Sequence, residues 1–308
     1  MIITFQNVSL NEHALQIVPS KVTVLKHYGR RLVIDCTPPY DWLWPYFGGE
    51  QYVQNIEQDL VVGMSSHPVS WNLNESEPYS LHIGDIRTKT NGTAVVSVLD
   101  SGLPQVAQDL FKPALGYSFI TMNSENRNPN FTDVGDCAQS NWHGVHVVSV
   151  LNDVAPGSTL LILRVLDSCG TGFASDITDA IVWAVGGKIN GIDANVIPAH
   201  VISMSFSGLG SCPTYLQSAV SQALSLGSVI VAAAGNSAEN AQDYFPGNCD
   251  GVITLGATTR QGTLASYSNW GPTLTFSAPG GDVQDPISVL TFLDGHLIPG
   301  FAIGTSRM

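Results

Sequence analysis

The sequence predicts a three-layer α/β sandwich with a mostly parallel sheet. Three observations carry that prediction. Hydrophobic residues make up 44% of the 308 and charged residues only 12%, a globular balance and not a disordered one. Near-continuous apolar runs recur along the chain, as in strands buried on both faces. Helical segments separate those runs, which implies crossover connections and helices on both sides of the sheet.

The first 62 residues read differently, as a small α+β segment. Lys21–Leu25 and Arg31–Cys36 are β-rich, and Tyr52–Val62 reads as a further strand. Residues 63–70, GMSSHPVS, have the Gly, Ser and Pro content of a linker. The main segment, 71–308, carries the apolar runs at 93–100, 159–166, 199–206, 228–235 and 251–258. Helices are predicted over 143–152, 174–185 and 213–227. The last starts on Pro213 as first helical residue and ends at Gly227. Active sites in such sheets lie at the carboxyl ends of the strands.

The length suits one large domain with a small appendage. A net charge of −13, from 25 acids and 12 bases, argues against nucleic-acid and anionic-membrane partners. No apolar run approaches the ~20 residues of a membrane helix. The start, MIITFQNVSL, lacks the basic and apolar regions of a signal peptide. The chain is therefore cytosolic or its true start lies upstream, and four N-x-S/T sequons, at Asn7, Asn74, Asn91 and Asn130, lean weakly to the second. The five cysteines at 36, 137, 169, 212 and 249 lean the same way, on grounds that depend on the resemblance below.

Four residues at strand ends or helix starts are the candidates for chemistry. Asp100 ends an apolar run and precedes Ser-Gly; it is a functional carboxylate or an Asx-turn cap. His143 opens a helix, and His146 one turn on makes a metal pair conceivable. No HExxH pattern or carboxylate partner supports a metal, and a single catalytic His143 is the better reading. Asn236 follows AAAG at a strand end, where its amide suits a developing oxyanion or a plain turn. Ser306 sits in Gly-Thr-Ser, which alone means little. Together the four supply nucleophile, base, orienting acid and oxyanion donor.

At this point the sequence resembles the subtilisin-like serine proteases. VVSVLDSGL is similar to the family's catalytic Asp segment, and WHGVHVVSVLNDVAPGSTLLILRVLDSCGTG to its His segment and the helix and strand that follow. VISMSFSG resembles the substrate-binding strand, VIVAAAGNS the oxyanion segment, and VITLGATTRQGTLASYSNWGP with FSAPGGD the run leading to the serine. The resemblance implies a subtilisin-like fold and a serine endopeptidase acting on polypeptides. Its triad would be Asp100, His143 and Ser306, with Asn236 in the oxyanion hole. Ser205, Phe206 and Ser207 would pair with extended substrate, and Ala233, Ala234 and Gly235 would line a specificity pocket of apolar or broad preference. The cysteines resemble a secreted bacterial subgroup, which implies Cys137–Cys169 and Cys212–Cys249 bridges in an oxidising compartment. Cys36 would be left over.

The resemblance also implies a zymogen. Residues 1–62 would be an inhibitory propeptide, cleaved by the enzyme itself between Val62 and Ser70, with the mature part starting near Trp71. A structural calcium ion is expected, with ligands unassigned and no other cofactor, and a monomer. Departures from the family pattern include Val145, Val148 and Ser149 in the His helix, Ser207 before Gly208, and Ile303 before Gly-Thr-Ser. Each adds bulk at a close-packed position, at ~1–3 kcal/mol per site if nothing adjusts. Only Arg307 and Met308 follow Ser306, so the chain as it stands is expected to be inactive. Two alternatives compete. A pseudoprotease that binds peptides fits the lost glycines but not four intact catalytic residues. A nucleotide-binding domain requires a G-x-G-x-x-G loop where Asp-Ser-Gly-Leu-Pro stands.

Overall fold

The computed structural model describes residues 2–5, 23–28, 31–35, 53–57 and 61–63 as backbone strands, residues 94–121, 127–137 and 142–306 in full, and 307 as backbone. Cys36, the 64–70 linker, Trp71 and the sequons at Asn7, Asn74 and Asn91 lie outside the described residues.

The chain forms two compact units. The smaller, Met1–Leu60 with Ile189–Asp193, holds β1 (Ile2–Phe5), β2 (Thr23–Tyr28), β3 (Arg31–Asp35) and β4 (Val53–Glu57). Their order is β2-β3-β1-β4, with every pairing antiparallel. β1 has no counterpart in the sequence reading, and β2 lies two to three residues later than expected. The single strand expected over Tyr52–Val62 is two: β4, and β5 (Val61–Gly63), which belongs to the larger unit.

The larger unit is built on seven strands: β6 (Val95–Asp100), β7 (Leu115–Ser118), β8 (Thr159–Arg164), β10 (Val201–Met204), β12 (Val229–Ala233), β14 (Ile253–Thr258) and β15 (Phe276–Pro279). Their order is β15-β14-β12-β10-β6-β8-β7, and all six pairings are parallel. The helices are α1 (Gln105–Phe111), α2 (His143–Val154), α3 (Ala174–Ala184) and α4 (Thr214–Ser225). Outside the sheet, β9 (Thr171–Phe173) pairs with β5, β11 (Gly208–Leu209) with β13 (Tyr244–Phe245), and β16 (Ile287–Leu293) with β17 (His296–Ala302), each antiparallel. β6 is the switch point: the chain visits β7 and β8 on one side of it before crossing to β10 on the other, and ligand crevices open at such points.

The five long apolar runs all become strands, of which β6 and β8 are buried almost throughout while β10, β12 and β14 mix buried with partly exposed positions. β6 reads buried at every position after Val95. Pro213 is a correction. It caps α4 in an extended conformation (φ −62°, ψ 143°) and does not begin the helix. Its carbonyl accepts the Gln217 N–H at 2.9 Å, so the ring holds the entry without a helical ψ.

The bulky departures in α2 have partners. Val145 and Val148 are fully buried with Val96, Val98, Leu160 and Ile162. Burying a valine side chain contributes roughly 1.5–3 kcal/mol, which offsets the expected crowding. Ser149 Oγ accepts the Leu290 N–H at 3.0 Å and donates to the His146 carbonyl at 2.8 Å. The added hydroxyl therefore ties α2 to β16. Two disulfides, Cys137–Cys169 and Cys212–Cys249, join the pairs that the resemblance implied.

Candidate functional site

Asp100 is the last residue of β6 and is 1% exposed. The turn after it is fixed by Gly102 at φ +91°, a conformation that L side chains rarely adopt. The start of α2 packs against that turn backbone to backbone. A Cβ on Gly144 would lie 2.2 Å from the Gly102 carbonyl oxygen, so only glycine brings helix and turn this close.

Trp142 caps α2 in the left-handed region, at φ 56° and ψ 43°. For a non-glycine residue this costs roughly 1–2 kcal/mol. Its indole packs edge-on against Phe292, ring centroids 4.6 Å apart, and lies so close over Gly135 that a Cβ there would meet it at 2.2 Å. That packing holds the strained residue and sets where His143 begins.

Asp100, His143 and Ser306 meet. His143 Nδ1 is 2.9 and 3.0 Å from the two Asp100 carboxyl oxygens. His143 Nε2 is 3.0 Å from Ser306 Oγ. A carboxylate acceptor at Nδ1 requires the proton there, which turns the Nε2 lone pair toward the serine hydroxyl. All three are buried, at 1%, 0% and 3% exposure. Ser306 lies in a single 3-10 turn, Thr305–Arg307.

Asn236 lies just beyond β12 and is tied to the same turn. Its Oδ1 accepts from Thr305 N at 2.9 Å and Thr305 Oγ1 at 2.8 Å. The amide is thereby oriented with its carbonyl toward Thr305. Gly235 N–H donates to Thr305 Oγ1 at 3.2 Å. Ala233 and Ala234 are buried beside it, as are Ser205, Phe206 and Ser207 beyond β10. Gly235, at φ +103°, cannot carry a side chain, since a Cβ would meet Asn269 Nδ2 at 2.4 Å.

Several residues that support the site carried no sequence signal. Asn269 is fully buried. It donates from Nδ2 to the Ala234 carbonyl at 2.9 Å and accepts from Ser237 N and Glu239 N, so one side chain wraps the Asn236 loop. Tyr267 Oη accepts from Gly304 N at 2.9 Å and faces the Gly281 and Gly280 carbonyls at 2.8 and 3.0 Å, pinning the chain two residues before Ser306. β9, inside CGTGFAS, forms an edge on which β5 lies. Only the Gly-x-Gly spacing hints at it.

His146 is buried one turn beyond His143, the ring centroids 6.5 Å apart. Among the described residues no group of three or more His, Cys, Asp or Glu is placed to hold a metal ion, so the expected calcium gains no ligand set from acidic side chains here. Tyr244 has its phenol pushed up from 10.0 by burial and by its hydrogen bond to Glu239. No helix among the described residues is long and apolar enough to cross a membrane.

Comparison with known proteins places this geometry. Residues 91–302 match the subtilase family, peptidase S8. An extracellular protease of Xanthomonas campestris is 37% identical over 287 residues, 82% of this chain and 49% of its own. An extracellular basic protease of Dichelobacter nodosus is 35% identical, over 65% of this chain and 38% of its own. The chain thus spans half or less of the length of these two relatives. Among solved structures, a protease from Pseudoalteromonas arctica superposes with a TM-score of 0.69 at 32% identity, covering 79% of this chain and 83% of that one. A cold-adapted subtilisin-like serine proteinase gives 0.54 at 25% identity, covering 71% and 72%.

Proposed function

The chain belongs to the subtilase family, and from that premise we propose that it is a serine endopeptidase, made as a self-processing zymogen and secreted. The observation that carries the reading is the continuous hydrogen-bonded path Asp100–His143–Ser306.

Ser306 Oγ attacks the scissile carbonyl carbon while His143 Nε2 takes its proton. Asp100 holds the imidazole and stabilises the imidazolium that forms. The negative oxygen of the tetrahedral intermediate is met by Asn236 Nδ2 and the Ser306 N–H, since the Asn236 carbonyl end is committed to Thr305. The His143 proton passes to the departing amine nitrogen as the C–N bond breaks, leaving an ester on Ser306. Water then attacks the ester by the same route in reverse. Burial of all three groups strengthens these electrostatic contacts.

The zymogen reading draws on β5. Val61–Gly63 pairs antiparallel with β9, Val61 opposite Phe173 and Gly63 opposite Thr171. It also lies within 8 Å, Cα to Cα, of β11, which follows Ser207. An extended peptide is recognised as a strand added to an edge, here that of β9, with β11 close by. The propeptide end would thus occupy the substrate track ahead of cleavage between Val62 and Ser70. Secretion is supported by two disulfides and by relatives named extracellular. The buried alanines Ala233 and Ala234 suit an apolar or broad pocket preference.

The test is expression from the whole reading frame, with processing followed by mass and N-terminal sequencing. Wild type yields a new N-terminus within 63–71 and hydrolyses casein. Ser306→Ala does neither. Processing that survives Ser306→Ala would refute self-cleavage.

A further inference from the structure

A second buried carboxyl group lies beside the triad, and the mechanism above does not use it. Asp133, between β7 and α2, is 1% exposed. Its Oδ2 accepts from Ser101 Oγ at 3.0 Å. Its Oδ1 accepts from Ser168 Oγ at 2.7 Å and Gly135 N–H at 3.0 Å. Among the described residues no Lys, Arg or His forms a salt bridge with it. Its partners among the described residues are two hydroxyls and one peptide N–H, and a buried carboxyl without a cation is expensive to keep, which makes these connections the informative feature.

Those connections converge on Ser101. A serine hydroxyl has one proton and two acceptor sites. With the proton given to Asp133, the Ser101 oxygen is an acceptor only, and it accepts from Gly144 N–H at 3.3 Å. The Ser101 N–H donates to Asp100 Oδ1 at 2.7 Å, and the Ser101 carbonyl accepts from Arg164 Nε at 3.2 Å. One residue thus touches Asp100 through its backbone and the peptide after His143 through its hydroxyl.

We propose that Asp133 is a positioning residue of the catalytic centre: by taking the Ser101 proton it turns the Ser101 oxygen toward the Gly144 N–H and so fixes the His143 imidazole against the Asp100 carboxylate. The proposal rests on the triad reading above. It assigns Asp133 no contact with substrate.

Asp133→Asn tests it, in protein expressed from the whole reading frame with kcat normalised to titrated active sites. The variant keeps an acceptor for Ser168 and Gly135 but presents an NH2 to Ser101, whose proton must turn away. A misplacement of about 1 Å near the chemistry costs about a hundredfold, so kcat falls between about tenfold and a hundredfold while KM stays within about twofold. Ser101→Ala gives a loss of the same size. The double variant is no worse than the poorer single, because the two act on one path. Additive losses, a KM effect at unchanged kcat, or wild-type kcat in Asp133→Asn would each overturn the role. If Asp133→Asn does not fold, Ser101→Ala carries the test alone, and wild-type kcat there overturns it. Ser306→Ala separates the two levels of claim. Hydrolysis surviving in it brings down the triad reading, whereas an inert Ser306→Ala beside a fully active Asp133→Asn brings down only the role of Asp133.

Discussion

Replacing Gly144 with alanine tests how closely His143 and Asp100 are held. The new Cβ would lie 2.2 Å from the Gly102 carbonyl oxygen, 3.2 Å from its carbon and 3.3 Å from its nitrogen, where ordinary contact begins at 3.4 Å. Every one of these atoms is backbone, so no side chain can swing aside. The start of α2 and the turn after β6 must separate by about 1.2 Å at this point. His143 moves with the first and Asp100 with the second, and a shift of that size along the 2.9 Å bond between them takes it out of hydrogen-bonding range. Misplacement of about 1 Å costs about a hundredfold in rate, which is about 2.7 kcal/mol. Overpacking removes a further ~1–3 kcal/mol of stability. The assay is steady-state hydrolysis of a peptide anilide with active sites titrated, alongside thermal unfolding. A Gly144→Ala enzyme within about threefold of wild-type kcat/KM would refute the reasoning, because the steric conflict would have been absorbed without disturbing the pair.

Three further outcomes follow from the same contacts. Tyr267→Phe keeps the ring but removes the nearer of two acceptors for Gly304 N–H, the other being the Gly280 carbonyl at 3.2 Å; about 0.5–1.5 kcal/mol of stability is lost, and kcat falls with little change in KM, read by calorimetry and kinetics. Ser149→Ala leaves the Leu290 N–H without its partner and lowers stability by about 1–3 kcal/mol, with the β16–β17 amides exchanging faster by hydrogen-exchange measurement. Burial pushes the Asp282 carboxyl up, but the N–H groups of Ser266 and Val283 and the Ser266 hydroxyl outweigh it and hold it below 3.8. A depressed carboxyl stabilises the fold above its ordinary value and loses that contribution as pH falls through the folded value, so the stability gap between wild type and Asp282→Asn closes as acid unfolding is followed downward from about pH 4.

The parallel sheet was legible because its strands are long, apolar and buried on both faces, as β6 and β8 show. The four candidate residues stand out in the sequence because Asp100 and Asn236 close apolar runs and His143 opens a helix, while Ser306 gains weight only from their company. What escaped falls into two kinds. Short edge elements such as β9 and β11 have two or three residues, too few for any periodicity to register. The supporting polar groups, Asp133, Asn269 and Tyr267, lie in irregular segments, and their importance comes from partners distant in sequence. Asn269, for example, reaches Ala234 across 35 positions. In the sequence Ser149 looks like crowding, because a hydroxyl's benefit depends on the strand that arrives opposite it, here β16, 141 residues later.

The central claim is that Ser306 is a nucleophile activated by His143. Its most direct test is covalent labelling of the protein expressed from the whole reading frame with a fluorophosphonate, located by peptide mass mapping. The account predicts one adduct, on Ser306, abolished by Ser306→Ala and strongly slowed by His143→Ala. Peptide hydrolysis that persists with Ser306 unlabelled, or labelling of Ser306 at the wild-type rate in His143→Ala, would contradict it.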